Sequence, residues 1–141
     1  MKFSVNYRDL TADQKARAQL AVKSVKLIKD AVRTVSFGVE RVIKSGPSKG
    51  MPIDLGRAVS SWGHWTPGLL RSKEGADAAG MAVWEVKDDG FTIEQGSNLE
   101  YIDYLNAGSS RQSPAGFLDL AETQGNKELE NEIDKVIDRY W

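Results

Sequence analysis

The sequence predicts an α+β fold, in which a long N-terminal helix packs on a small antiparallel sheet and shorter helices follow. Three features of the 141 residues support this prediction. They are an apolar stripe of helical spacing before residue 45, an Asp-Gly turn signal between two strand-like segments, and apolar faces of helical spacing after residue 99. The length fits one domain over residues 1–141, because domains cluster at about 100–150 residues.

The long helix is predicted from Thr11 to Ser45. Thr11-Ala12-Asp13-Gln14 has the form of a capping box, which satisfies backbone donors at a helix start, and Gly46-Pro47 provides the stop. Docking of the apolar stripe on the sheet is favoured over an intermolecular coiled coil, because valine and alanine make a poor zipper seam. Gly38 is a candidate bend. The stripe consists of Ala18, Ala21, Val25, Ile28, Val32, Val35, Val39 and Val42.

Residues 52–96 are predicted to form a loop and strands. The composition of Pro52–Gly68 indicates an ordered turn leading into a strand, followed by a polar loop. Met81–Val86 and Phe91–Glu94 are strand-like segments on either side of Asp88-Asp89-Gly90, whose Asp-Gly pair favours a hairpin turn.

Two shorter helical regions are predicted after the hairpin. Residues 99–107 carry apolar side chains on one side and are followed by Gly108, which can end a helix. Residues 115–140 have an apolar face that we expect to be interrupted near Gly125, because glycine is a poor helix former.

Charge divides the chain into two halves. Residues 1–73 hold 14 basic and 5 acidic side chains, whereas residues 74–141 hold 5 basic and 15 acidic ones, so that the net charge is -1. The halves could neutralise each other within one fold, or form complementary faces that meet between copies, or the basic half could contact nucleic acid. The basic helix is judged to lack the interleaved aromatic residues of a stacking platform, which argues against nucleic acid.

Little in the sequence points to catalysis. There is no cysteine, which excludes disulfides and thiolate metal sites, and His64 is the only histidine. No metal-binding spacing or nucleophile elbow surrounds His64, and no phosphate-binding loop is present. We expect no catalytic residue, no metal and no cofactor, with a small hydrolase built around His64 as the alternative. No apolar segment approaches the roughly 20 residues of a membrane span, so we expect a soluble protein made in the cytoplasm.

Three segments, in this order, resemble the neck or tail-completion family of tailed phages, whose small proteins close the head-proximal end of the tail and join it to the head. Residues 52–62 resemble the family's pattern of proline, aspartate, Thr-Gly-Arg and a later Ser-Trp. Residues 98–108 are similar to its Asn-x-x-x-Tyr segment that ends in glycine, and residues 109–117 to its Ser-x-Gln-Ala-Pro-x-Gly run. The chain departs from the family at Leu55, where threonine is usual, and at Ser113, where alanine is common.

The resemblance implies a structural virion protein at the head–tail junction, without enzymatic activity, that assembles as a homo-oligomeric ring. Six copies are favoured over twelve. The implied partners are other copies of the chain, the connector or head-completion protein, the tail tube protein, and genomic DNA that passes through the lumen without sequence-specific binding. No membrane is implied. The alternatives are a minor capsid or connector protein of the same particle, and a small DNA-binding protein that uses the basic N-terminal helix.

Eight residues are candidate interface contacts. Tyrosines offer a large contact area with a polar tip, proline stiffens a contact loop, and an arginine beside Gly56 suits anchoring to a carboxylate or carbonyl as the loop turns. Packing inside the domain is the alternative for all of them. The candidates are Arg57, Trp62, Tyr101, Tyr104, Arg111, Gln112, Pro114 and Phe117.

Overall fold

A computed structural model of the protein describes residues 1–6, 12, 14 and 24–140. These residues form an α+β fold, as predicted, in which helices pack against a three-stranded antiparallel sheet. The elements are β1 (Lys2–Asn6), α1 (Val25–Ile43), α2 (Arg57–Ser60), β2 (Ala82–Lys87), β3 (Thr92–Ser97), α3 (Ile102–Asn106) and α4 (Phe117–Tyr140).

The sheet has the order β1-β3-β2, with β3 antiparallel to both neighbours. Phe3 of β1 and Trp84 of β2 both lie opposite Gln95 of β3, so the three side chains share one face of the sheet. The sequence analysis did not predict β1. Its five residues carry only two apolar side chains, and its pairing partner is distant in the chain.

The predicted hairpin is present, and each of its strands begins one residue later than expected. Asp88, Asp89 and Gly90 adopt left-handed backbone conformations, with φ angles of 51°, 57° and 96°. Asp and Gly tolerate this region better than other residues, which explains the turn signal in the sequence. The Lys29 Nζ donates to Asp89 Oδ2 at 3.1 Å and ties the tip of the hairpin to α1.

Helix α1 starts at Val25 among the described residues, later than the predicted Thr11, and residues 11, 13 and 15–23 lie outside the described ranges. The apolar stripe is buried from Ile28 to Val39, as predicted. The prediction is wrong for the last residue of the stripe, because Val42 is 41% exposed and Ile43 is fully buried instead. At about 100° per residue, Ile43 lies nearer the middle of the buried face.

Helix α4 runs without a break through Gly125, so the predicted interruption is wrong. A Cβ at this position would collide with Cγ2 of Val39. Glycine therefore lets α4 approach α1 closely, and this contact offsets its low helix propensity.

Residues 52–81 contain no strand, contrary to prediction. The chain instead forms α2, followed by 3-10 turns at Pro67–Leu69 and Lys73–Ala78. Gly56, directly before α2, has a φ of 78°. A Cβ there would collide with the carbonyl oxygen of Leu69, so only glycine permits this close crossing of two backbones.

The core lies between the sheet, α1, α2 and α4. Trp62 is fully buried in it and its ring packs on that of Phe3, with centroids 5.5 Å apart. The Trp62 Nε1 donates to Gln95 Oε1 at 2.9 Å, and Gln95 Nε2 donates to the carbonyl of Ser36 on α1 at 2.9 Å. The indole and the amide are therefore satisfied inside the core, as buried polar groups usually are.

Candidate functional site

The three segments that resemble the neck family meet around one cleft. Residues 52–58 form one wall, Tyr101 and Leu105 a second, and Ser109, Ser110 and Gln112 the third. The cleft has a volume of about 520 Å³ and is open to solvent on one side. A recess of this size can accept a small ligand or an anchoring side chain of another protein.

Gln112 joins two of the walls. Its Nε2 donates to the carbonyl of Ile53 at 2.9 Å, while its Oε1 accepts from the Ile53 backbone N–H at 2.8 Å. The Gln112 carbonyl also accepts from the backbone N–H of Ser48 at 2.8 Å. One glutamine thus satisfies both backbone groups of a residue in another loop, as a neighbouring strand would.

Ser113 adds a second tie beside Gln112. It is buried, and its hydroxyl donates to the carbonyl of Gly50 at 2.6 Å. The family's usual alanine at this position could not donate that bond. Together Gln112 and Ser113 hold the loop before α4 against the loop before α2.

Arg57 lies between the cleft and the 3-10 turn that precedes β2. Its Nε donates to Asp77 Oδ1 at 2.8 Å, and its guanidinium lies 5.5 Å from the centre of the Tyr101 ring. The hydrogen bond to Asp77 raises the pKa of the arginine above its usual value. Arg57 is anchored to a carboxylate, as the sequence suggested, and it also covers one face of the tyrosine.

Tyr101 is half-buried at the edge of the cleft. Burial raises the pKa of its phenol above the usual range, because the charged form would lose hydration. The Arg57 guanidinium opposes this effect, and Asp77 and Asp54 add to it. Tyr101 is accordingly a neutral hydrogen-bonding group at physiological pH.

The structure separates the eight candidate interface residues into three groups. Trp62 and Phe117 are 0% and 2% exposed, so in this conformation they pack inside the chain and have no surface to offer a neighbour. Arg57, Tyr101 and Gln112 shape the cleft through contacts within the chain. The remaining three have exposed side chains, and their interface role stays a prediction: Tyr104, Arg111 and Pro114.

His64 belongs to a separate cluster on the other side of α2. Its Nδ1 lies 2.8 Å from Oε2 of Glu40, which also accepts from the His64 backbone N–H at 2.7 Å. Lys44 donates to the His64 carbonyl and, at 2.6 Å, to the Thr66 hydroxyl. Burial lowers the pKa of Lys44, and the nearby Glu40 partly opposes that shift.

The His64 ring also joins an aromatic cluster that the sequence analysis missed. It stacks on Phe37 of α1 at a centroid distance of 5.6 Å and an angle of 8°, and it packs against Trp84 of β2 in a tilted arrangement with the centroids 4.3 Å apart. The ring centroids of Phe37 and Trp84 are 4.8 Å apart. One signal was available: Phe37 falls between Arg33 and Arg41 at four-residue spacing. The other two rings join it only through the tertiary fold.

The described residues hold neither a cluster of metal ligands nor a helix suited to a membrane. Within residues 1–6 and 24–140, no three histidine, aspartate or glutamate side chains come close enough together to hold a metal ion. None of the helices in the described part of the chain combines the length and apolarity of a membrane span.

No protein-family model, curated protein or solved structure matches this chain.

Proposed function

We propose that the chain is a non-catalytic structural subunit of the head–tail junction of a tailed phage, where it forms a ring that closes the tail end and joins it to the head. The observation that carries this proposal is the convergence of the three neck-like segments on one cleft. Six copies are favoured over twelve. The proposed partners are further copies of the chain, the head connector or head-completion protein and the tail tube protein, with genomic DNA passing through the lumen.

The convergence supports the proposal because residues from all three resembling segments also line the cleft. Gly56 permits the backbone crossing before α2, Arg57 and Tyr101 contact each other, and Gln112 ties its own loop to Ile53. The meeting of the three segments supports a shared origin for the whole set.

A ring needs two different patches on each copy, because one surface must meet another on the next subunit. The cleft supplies a concave patch. Tyr104, which is 69% exposed beside it, supplies apolar area with a polar tip. The opposite charges of the two halves of the chain support attraction between unlike faces of neighbouring copies.

The contacts of His64 favour a structural role over catalysis. Its Nδ1 is bonded to Glu40, an arrangement that also orients catalytic histidines. Among the described residues, however, no serine or threonine hydroxyl bonds to the ring, and two aromatic rings pack against it. We therefore expect His64→Ala to leave particle assembly nearly intact. A hydrolytic activity abolished by that change would favour the alternative of a hydrolase.

The absence of cysteine makes the ring proposal directly testable. Ser110→Cys introduces a single thiol in the lining of the cleft, and Tyr104→Cys introduces one in the neighbouring recess that shares Arg57 and Tyr101 with it. The wild-type chain serves as the unlabelled control. We expect a maleimide reagent to modify both thiols in the free subunit and to modify them poorly in assembled particles. Negative-stain imaging and the mass in solution give the number of copies.

The experiments test the position of the protein in the particle and the role of the cleft as a contact separately. Reconstruction of the particle with this protein outside the junction, as a decoration or in the tail tip, would refute the proposal. Placement at the junction with both thiols fully reactive would keep the location and exclude the cleft as the contact. A monomer in dilute solution does not bear on either point, because the subunit can require a tail end or connector as template.

A further inference from the structure

The outer face of α1 carries a row of residues at four-residue spacing, which places each about 6 Å along the helix from the next. The row consists of Lys29, Arg33, Phe37 and Arg41. Arg33, Phe37 and Arg41 are exposed, and Phe37 keeps 41% of its surface accessible. An aromatic ring thus lies between two guanidinium groups on a surface turned away from the core.

The two arginines of this row differ in their contacts from the lysines near them. Neither Arg33 nor Arg41 forms an ion pair with any residue in the described ranges. The other cations nearby differ from them: Lys29 pairs with Asp89 at 3.1 Å, and Lys44 lies 3.9 Å from Glu40. Two cations without an ion-pair partner in the described ranges therefore lie on either side of Phe37.

The fold places further aromatic surface next to Phe37. His64 is held in orientation by Glu40, and its ring and that of Trp84 pack beside Phe37. A shallow cleft of about 500 Å³ adjoins the cluster, with Arg41 and the hydroxyl-bearing residues Ser45 and Thr66 in its lining. Flat aromatic rings, a recess and unpaired cations meet on one surface.

We propose that this surface, comprising Arg33, Phe37, Arg41, His64 and Trp84, binds single-stranded nucleic acid without sequence specificity. Arg33 and Arg41 contact successive stretches of the phosphate backbone, and an unpaired base stacks against Phe37 and the adjoining cluster. Aromatic platforms of this kind stack any base, because every base has a π-face. The inference does not depend on a role at the head–tail junction.

The chemistry favours a single strand over the other polyanions. A duplex keeps its bases stacked on each other, so it could use the arginines but not the exposed face of Phe37. An acidic protein segment could pair with the arginines, but it would leave the aromatic cluster without a flat partner. Duplex DNA and heparin are therefore the comparison ligands.

The test measures fluorescence anisotropy of a labelled oligothymidylate of about 12 nucleotides, within the site sizes of such proteins. We expect Phe37→Ala to weaken binding roughly tenfold, the loss typical of one base–aromatic stack. Arg33→Gln combined with Arg41→Gln should reduce the slope of log affinity against log salt by about 1.4, since each lost phosphate contact on a single strand removes about 0.7.

The matched control is Lys49→Gln combined with Lys73→Gln. It removes the same two charges from exposed positions outside the proposed surface, and we expect the affinity to change less than about twofold. Circular dichroism checks that each variant is folded. Equal losses in the two double variants, no loss in Phe37→Ala, duplex or heparin bound as tightly as the single strand, or no binding at low salt would each overturn the proposal.

Discussion

The cleft and the outer face of α1 use their polar groups in opposite ways. In the cleft, Gln112 is bonded to Ile53 and Arg57 to Asp77, so the strongest polar groups are already occupied. On α1, Arg33 and Arg41 have no ion-pair partner in the described ranges. The cleft therefore offers a fixed shape, and the helix face offers charge.

This difference indicates what each surface can recognise. A preorganised recess with satisfied polar groups loses little by binding an apolar anchor, which suits contact between protein subunits. A row of unpaired cations gains from any polyanion and does so in a salt-dependent way. The two surfaces should consequently respond to different mutations.

Trp62→Ala should have the largest effect, and it should damage both surfaces together. Trp62 contacts β3 through Gln95, which in turn bonds to Ser36 on α1. Loss of a fully buried tryptophan costs about 3–5 kcal/mol of unfolding free energy, which chemical denaturation measures. Trp62→Phe is the milder control: it keeps an aromatic ring but leaves Gln95 Oε1 without its donor, at a cost of about 1–3 kcal/mol. If Trp62→Ala left stability unchanged, the two regions would not share this core.

Val32→Asp compares the two faces of α1. Val32 is fully buried, and a carboxylate there would have no partner, so we expect a loss of about 3 kcal/mol or more. Lys26→Asp, on the exposed side, should change stability by less than about 0.5 kcal/mol. Urea unfolding of both variants gives the comparison. Similar losses from the two substitutions would contradict the assignment of the faces.

Gln112→Ala should affect the cleft alone. It removes two hydrogen bonds to Ile53, and we expect a loss of about 1–2 kcal/mol together with faster hydrogen exchange of the Ile53 amide. Affinity for oligothymidylate should stay at the wild-type value. Arg111→Ala, which changes an exposed neighbour, is the matched control and should leave the exchange rate unchanged. A fall in strand affinity on Gln112→Ala would show that the two surfaces are coupled.

Tyr101 should give the smallest effect, visible only at alkaline pH. Burial raises its folded-state pKa, so the folded protein holds the phenolic proton more tightly than the unfolded chain does. Stability therefore falls as pH rises past the unfolded phenol value of about 10, because only the unfolded state then releases the proton, and the fall ends once the folded pKa is passed. The ultraviolet titration curve of the wild type, after subtraction of the curve of Tyr101→Phe, should show a midpoint above about pH 10. A midpoint at or below 10 would contradict a half-buried phenol, and Tyr104→Phe provides the exposed comparison.

Tyr101 and Lys44 both make the stability of the fold depend on pH. Below the unfolded pKa both states hold the proton, and Tyr101 contributes nothing to the pH dependence. Lys44 acts in the opposite direction: burial lowers its folded pKa, so the folded state loses its proton first and stability rises with pH up to the unfolded lysine value of about 10.4. Lys44→Met should remove that earlier rise and leave the Tyr101 window intact.

Local signals in the sequence determined several parts of this protein. The apolar spacing from Ile28 to Val39 predicted the buried face of α1, because a helix places every third or fourth residue on one side. The Asp-Gly pair predicted the turn between β2 and β3, because these residues accept left-handed backbone angles. The α+β class followed from these elements. The interface role of the exposed candidates and the function itself stay predictions.

Only the tertiary structure decided the rest, because the relevant partners are far apart in the chain. The pairing of β1 depends on β3, and the continuity of α4 through Gly125 depends on Val39. Trp62 stood in a segment predicted as an ordered turn leading into a strand and was a candidate interface contact, yet its indole fits a core that other elements complete. The sequence fixes which side chains are available, whereas burial and pairing between distant segments decide which of them face solvent, and that choice produced both the cleft and the aromatic surface of α1.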